Sequence, residues 1–279
     1  MNVYARLMRF DKPAGIALLW APTAWALWLA NQGHPSGILI LFFLLGTILM
    51  RAAGCIINDM ADRHIDKHVK RTQSRPITSG ELSIQKAAVV LMVLLMLAAL
   101  IMIQLPVLCW IEAGIALAIT IIYPFGKRFL RAPQLVLGAA FSMGIPMAYT
   151  ASGVDLNKGM LILMLLNFLW IVAYDTMYAW VDRDDDLRIG VRSTAILFGS
   201  NVISVVMFLQ ILVHGLWLVL ARFYSVSLWF GLCWLGAAAI IMYQYHLLKQ
   251  ETTQHSLRAF LWNAVYGLVM WIGLLGGVR

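Results

Sequence analysis

Eight of the 13 acidic residues in this chain crowd into two short stretches. The first reads Asn58-Asp59-Met-Ala-Asp62-Arg63-His64-Ile65-Asp66, and the second Asp175-Thr-Met-Tyr178-Ala-Trp-Val-Asp182-Arg183-Asp184-Asp185-Asp186. Helical positions i, i+3 and i+7 share a face. Asp59, Asp62 and Asp66 are therefore expected to form one stripe, and Asp182 and Asp186 to face together at i, i+4. Two such stripes turned toward each other repel unless something positive lies between them. Hard oxygen ligands with spare coordination positions suit Mg²⁺, which readily bridges one or two carboxylates to a substrate phosphate. A diphosphate held through metal is the substrate element that this chemistry implies.

Basic residues flank both clusters. Lys12, Arg63, Arg71, Arg75, Lys127 and Arg128 are all expected on the same side as the carboxylates, where charge-assisted bonds to phosphate oxygens are their plausible task. Arg51 differs, because it falls inside an apolar stretch seven residues before Asn58. An arginine there is costly and normally paired, so it is expected to pair with an acidic residue of the site. His64 and His68 also stand at i, i+4, but a loop rich in phosphate-binding charge needs no imidazole site. Asp184 and Asp185 read as a solvated loop.

The elements that must position these residues are membrane helices. The chain has 279 residues, 62% of them hydrophobic and 12% charged, whereas soluble domains carry about 25% charged residues. Mean hydropathy is +0.81. Stretches near the ~20 residues that cross the hydrocarbon core fall at roughly 14–31, 38–58, 86–104, 107–123, 133–151, 160–180, 195–221, 226–247 and 257–276. Only Gln104 and Pro106 separate the third from the fourth, and merging them would give eight. With nine spans and the N-terminus inside, 17 Lys and Arg lie on the inner side and three, Lys158, Arg222 and Arg279, on the outer. That bias favours nine helices with a cytoplasmic N-terminus and an external C-terminus. It also accounts for the net charge of +8 without invoking nucleic acid. The three cysteines, Cys55, Cys109 and Cys233, lie in apolar segments and suggest neither a disulfide framework nor a metal motif.

Adding 116 to the first cluster maps Asp59 onto Asp175, Asp62 onto Tyr178 and Asp66 onto Asp182. Each cluster closes the second helix of a four-helix block. The chain is thus expected to be one membrane domain over 1–279. It would contain a parallel repeat, with halves at about 10–125 and 130–247, and a ninth helix at about 257–276. A lipid with an anionic head would seat its tail between helices and its head at the cytoplasmic mouth. The different-class alternative is a divalent-cation or anion transporter, but transporter sites usually sit near the midplane and these clusters sit at span ends.

Four motifs together carry a resemblance. Asn58-Asp59-x-x-Asp62-x-x-x-Asp66, Arg71-Thr-x-x-Arg75-Pro76-x-x-Ser79-Gly80, Tyr123-Pro124-x-x-Lys127-Arg128 and Tyr174-Asp175-Thr-x-Tyr178-x-x-x-Asp182, preceded by Arg9-x-Asp11-Lys12-Pro13, resemble the UbiA-type intramembrane aromatic prenyltransferases. The resemblance implies an all-helical fold of about nine transmembrane helices around a central cavity and Mg²⁺ dependence. It further implies transfer of a polyprenyl group from polyprenyl diphosphate to the ring carbon ortho to the hydroxyl of 4-hydroxybenzoate, in ubiquinone biosynthesis. Naphthoate and haem are the nearest competing acceptors. Carried over by position, Asn58, Asp62, Asp66, Asp182 and Asp186 match metal–diphosphate residues. Arg75 and Lys127 match diphosphate-binding positions, and Arg128 the position that holds the acceptor carboxylate. Tyr178 stands where some relatives have a third aspartate. Asp59, Asp175, Arg51, Tyr123, Tyr174 and Tyr178 are supporting candidates, the tyrosines as aromatic walls for an allylic cation. A bacterial inner membrane and no obligate protein partner complete what the resemblance implies.

Overall fold

Hydrocarbon offers no partner to a backbone N–H or C=O, so each apolar stretch satisfies its own groups as a helix. In the computed structural model, which describes residues 2–126 and 129–278, the helices run α1 Val3–Leu7, α2 Ala14–Ala30, α3 Gly37–Asp62, α4 Ile84–Met102, α5 Val107–Gly126, α6 Gln134–Ser142, α7 Gly144–Ala151, α8 Lys158–Val181, α9 Arg183–Ile189, α10 Thr194–Phe198, α11 Val202–Leu220, α12 Leu228–Leu248 and α13 Thr253–Leu275. Polar side chains start several of them. Ser36, Ser83, Asn157 and Thr252 each accept from a backbone N–H of the first turn, which satisfies a donor that the helix itself leaves open.

Among the described residues seven helices are long and apolar enough to cross a membrane: α3, α4, α5, α8, α11 with its flanking turns, α12 and α13. The other two expected spans take a different form. α2 has 17 residues, just short of a full crossing. The stretch at 133–151 is interrupted at Met143 into α6 and α7. The third and fourth spans separate as expected, with α4 ending at Met102 and α5 starting at Val107.

α8 is the most enclosed of the long helices, whereas α4 and α5 bury few of their side chains. It packs against α6, α11 and α13, and small residues set the spacing. A Cβ on Gly138 would stand 2.9 Å from the Phe168 ring, and one on Gly267 would stand 2.8 Å from both Ala21 and Trp170. Trp20, Trp25, Trp28, Trp170 and Trp217 are buried core residues rather than interfacial anchors. Trp25 lies 5.0 Å from the rings of both Trp170 and Trp217 and donates to the Gly267 carbonyl at 3.0 Å. Trp170 donates to Asn263 Oδ1 at 3.0 Å, and Gln210 to the same oxygen at 2.7 Å. This network ties α2, α8, α11 and α13 into one block, against which α3, α4 and α5 enclose a cavity.

Candidate active site

The two acidic clusters meet in that cavity, whose volume is about 1130 Å³. Asn58, Asp59, Asp62 and Asp66 line it from one side, and Asp175, Asp182 and Asp186 from the other. The continuous stripe expected on the first helix does not form, because α3 ends at Asp62. Asp66 opens a separate 3₁₀ turn, Asp66–His68. The turn is held when Thr72 Oγ1 donates to the Asp66 carbonyl at 3.0 Å. α8 likewise stops at Val181, and Asp182 stands between α8 and α9, with the Asp186 N–H donating to its carbonyl at 2.8 Å. Both clusters therefore sit where a helix gives way to a loop, which places their oxygens at the cavity mouth.

Arginines occupy the space between the carboxylates. Arg9, with a positive φ of 60°, donates to both oxygens of Asp59 at 2.7 Å. A non-glycine residue in that backbone region is strained by roughly 1 kcal/mol or more, and the bidentate contact holds it there. Arg75 bridges Asp59 at 3.1 Å and Asp66 at 2.6 Å. Arg71 reaches across to the second cluster. Its Nε donates to the two Asp182 oxygens at 2.9 and 3.2 Å, its Nη2 donates to the same carboxylate, and its Nη1 donates to the Tyr178 hydroxyl. Nearby, the Lys70 N–H donates to Asp185 Oδ2 at 3.1 Å, so the loop after α3 is fastened to the start of α9 at two points.

Charge states follow from this arrangement. Burial opposes the charge on Arg71, but Tyr178 and Asp182 outweigh it and the guanidinium is held more firmly protonated than usual. Asp59 and Asp66 do the same for Arg75 against its own burial. Asp66 moves the other way. Burial raises its pKa, and Arg75 does not cancel the effect because it is shared with Asp59 and because Asp62 and Asp59 add like charge. Lys12 titrates below the ordinary lysine value because of burial first, then Arg9 and Arg71.

Most of the residues singled out in the sequence come together here. Lys12, Arg51, Arg71, Arg75, Tyr123, Tyr174 and Tyr178 all line the cavity. Arg63 does not. With α3 ended at Asp62, its guanidinium turns back to the Met60 carbonyl at 2.8 Å. Arg51 lines the cavity, but its Nη1 donates to Cys55 Sγ at 2.7 Å, and among the described residues it makes no ion pair. Asp185 carries the Lys70 contact instead of lying in a purely solvated loop. Lys127 and Arg128 lie outside the described residues. Arg9 and the interloop role of Arg71 were not foreseen, although both stand in motifs quoted from the sequence.

Residues 19–269 match the model of the UbiA prenyltransferase family. The chain belongs to that family. Among curated UbiA-family relatives, it is 54% identical over 273 residues to a 4-hydroxybenzoate octaprenyltransferase of Legionella pneumophila (strain Paris), covering 98% of this chain and 97% of the relative. It is 45% identical to one from Haemophilus ducreyi, covering 98% and 99%. The fold matches an apo UbiA homologue from Aeropyrum pernix K1 with a TM-score of 0.81 at 19% identity, over 93% of this chain and 96% of that one. It also matches a UbiA homologue from Archaeoglobus fulgidus bound to GPP and Mg²⁺, with a TM-score of 0.72 at 16% identity, over 96% and 99%. The chain is thus a multi-pass membrane prenyltransferase.

The donor set of this UbiA-family cavity fits a divalent cation. Every acidic residue at the mouth offers hard carboxylate oxygen, and Asn58 adds an amide. Among the described residues no three His, Cys, Asp or Glu side chains converge closely enough to hold a cation by themselves. Substrate phosphate oxygens would then complete the shell, which is how Mg²⁺ sites are commonly built.

Proposed function

We propose that this enzyme transfers a polyprenyl group from polyprenyl diphosphate to the ring carbon ortho to the hydroxyl of 4-hydroxybenzoate, releasing diphosphate, as a step of ubiquinone biosynthesis. The observation that carries the reading is the meeting of two carboxylate clusters and three arginines at the mouth of one cavity whose deeper wall is apolar. The identity to relatives named 4-hydroxybenzoate octaprenyltransferases supports the acceptor.

Asn58, Asp62, Asp66, Asp182 and Asp186 would hold Mg²⁺, which when bound neutralises charge developing on the leaving diphosphate. Arg75, Arg71 and Lys12 lie on the same wall and supply directed bonds to its oxygens, with Lys127 assigned by sequence alone. Asp59, gripped by Arg9 and Arg75, acts as the anchor of that basic group rather than as a metal ligand. Tyr123, Tyr174 and Tyr178 line the cavity, where an aromatic face can stabilise an allylic cation by ~0.5–2 kcal/mol; the Tyr178 face is taken by Arg71, 4.4 Å above it, until that arginine turns to the diphosphate. The apolar lining keeps water from trapping the cation. Arg128 keeps the acceptor carboxylate by sequence alone; among the described residues Arg51, which makes no ion pair there, is the cation best placed to receive that carboxylate with it. Seven residues, about 10 Å of helix, separate Arg51 from Asn58, which leaves room for one aromatic ring between carboxylate and diphosphate.

We place the active-site loops and the N-terminus on the cytoplasmic side of a bacterial inner membrane, on the strength of the charge bias. The parallel repeat is proposed on the matching places of α3, which packs on α2 and α4, and α8, which packs on α6 and α11. Purified protein in detergent, given 4-hydroxybenzoate, polyprenyl diphosphate and Mg²⁺, should form prenylated product. EDTA, Asp62→Ala and Asp182→Asn should each abolish it. Prenylation of 1,4-dihydroxy-2-naphthoate instead of 4-hydroxybenzoate would overturn the acceptor assignment.

A further inference from the structure

We propose that Gly15 and Cys55 are positioning residues that aim Arg51 into the cavity and so set the preference of the enzyme for acceptors bearing a carboxylate. The inference rests on the reading of Arg51 as the acceptor-binding cation. Arg51 belongs to α3, and its guanidinium lies flat on the first turn of α2. A Cβ added to Gly15 would stand 2.4 Å from Arg51 Nη2, 2.5 Å from Nε and 2.8 Å from Cζ. No side chain larger than hydrogen fits while Arg51 keeps this pose. One edge of the guanidinium is engaged by Cys55, one turn further along α3, through Nη1 at 2.7 Å. A thiol is a weak acceptor, so it fixes direction without neutralising the charge. The two neighbours thus define one face and one edge, and the remaining N–H groups are left for an anion in the cavity that all three residues line.

The atoms that would collide with a new Cβ are the far end of a flexible side chain. Gly15→Ala should therefore swing Arg51 aside rather than disrupt the packing of α2. Arg51 precedes Asp62 by eleven residues, about 16 Å along the helix, so the diphosphate end should not feel the change.

The test compares kcat/KM for 4-hydroxybenzoate with that for 4-hydroxybenzamide, which has the same shape but no charge, in wild type, Gly15→Ala, Cys55→Ala and Arg51→Gln. A misdirected bond to a charged group predicts that Gly15→Ala lowers the benzoate-to-benzamide ratio about tenfold to hundredfold. This should appear as a raised KM for the benzoate, with the KM for polyprenyl diphosphate and the thermal midpoint unchanged. Cys55→Ala should act in the same direction and decides the matter alone if Gly15→Ala fails to fold. If neither variant moves the ratio while Arg51→Gln collapses it, the positioning proposal fails and Arg51 keeps its role. If Arg51→Gln leaves the ratio intact, the acceptor assignment of Arg51 fails and the proposal with it. A loss of affinity for both substrates would mark a structural effect and would also overturn the proposal.

Discussion

Replacing Arg71 by glutamine separates two functions that its position combines. Arg71 grips Asp182 through Nε and Nη2 and Tyr178 through Nη1, so it occupies a carboxylate that the cation is proposed to use. A hydrogen bond to a charged group contributes about 1.5–3 kcal/mol. The two side chains are 22% and 14% exposed, so solvent screening argues for the lower end, about 1.5 kcal/mol, or roughly tenfold in an equilibrium constant. Arg71→Gln should therefore bind Mn²⁺ roughly tenfold more tightly than wild type when no prenyl diphosphate is present. In turnover the sign reverses. With prenyl diphosphate bound, Arg71 is expected to exchange Asp182 for the leaving group, and loss of one such donor typically costs about 10²–10³ in rate. Calorimetric or paramagnetic Mn²⁺ titration in detergent and steady-state kinetics on one preparation read both numbers. Unchanged or weaker Mn²⁺ binding, together with wild-type kcat/KM, would refute the reasoning.

Three further outcomes follow from the geometry. Arg63→Ala should alter kcat/KM for prenyl diphosphate by less than about threefold, since Arg63 donates to the Met60 carbonyl and does not line the cavity; a loss like that of Arg75→Ala would contradict this placement. Lys12 titrates below its usual value because of burial, Arg9 and Arg71, so diphosphate affinity should fall as pH rises through that lowered pKa, and Lys12→Arg should shift the alkaline limb upward. Because the unfolded chain then holds the Lys12 proton more tightly than the native state, stability from this group rises with pH over the same window, which a melting series on both proteins would check. Gly267→Val must push against Ala21 and the Trp170 ring and should cost about 1–3 kcal/mol, visible as a lower thermal midpoint with KM values unchanged.

What the sequence disclosed and what it hid divide along physical lines. The carboxylates and the arginines of the loop after α3 were legible because charge is rare in an apolar chain and its spacing stands out. The separation of α4 from α5 was legible through Gln104, Pro106 and the charge bias. Helix ends were not. Extending α3 past Asp62 on paper kept Asp66 in a stripe and aimed Arg63 at the site, whereas the real end at Asp62 redirects both. The partner of Arg51 was misjudged for a related reason. A costly buried cation was expected to find a carboxylate, but a wide cavity beside it and a thiol one turn away suffice. The interruption at Met143 had a local signal in Gly144 and Pro146, since Pro146 has no N–H to return to the Ser142 carbonyl, whereas the Lys70–Asp185 contact depends on tertiary neighbours that no local pattern encodes.

The cavity also poses a problem of insulation. From Phe42 to Asp62, α3 lines it along some 30 Å of axis, close to the full thickness of a bilayer's hydrocarbon. A hole of that length with an ionic mouth is most of the way to being a pore. Away from the mouth the lining turns apolar, with Phe42, Phe43, Leu105 and Trp110, and apolar surface of this sort resists ions by refusing to wet. The same wall that accommodates a hydrocarbon tail thereby acts as an electrical seal, and an enzyme with this architecture must keep its distal end greasy and narrow to avoid short-circuiting the membrane in which it works.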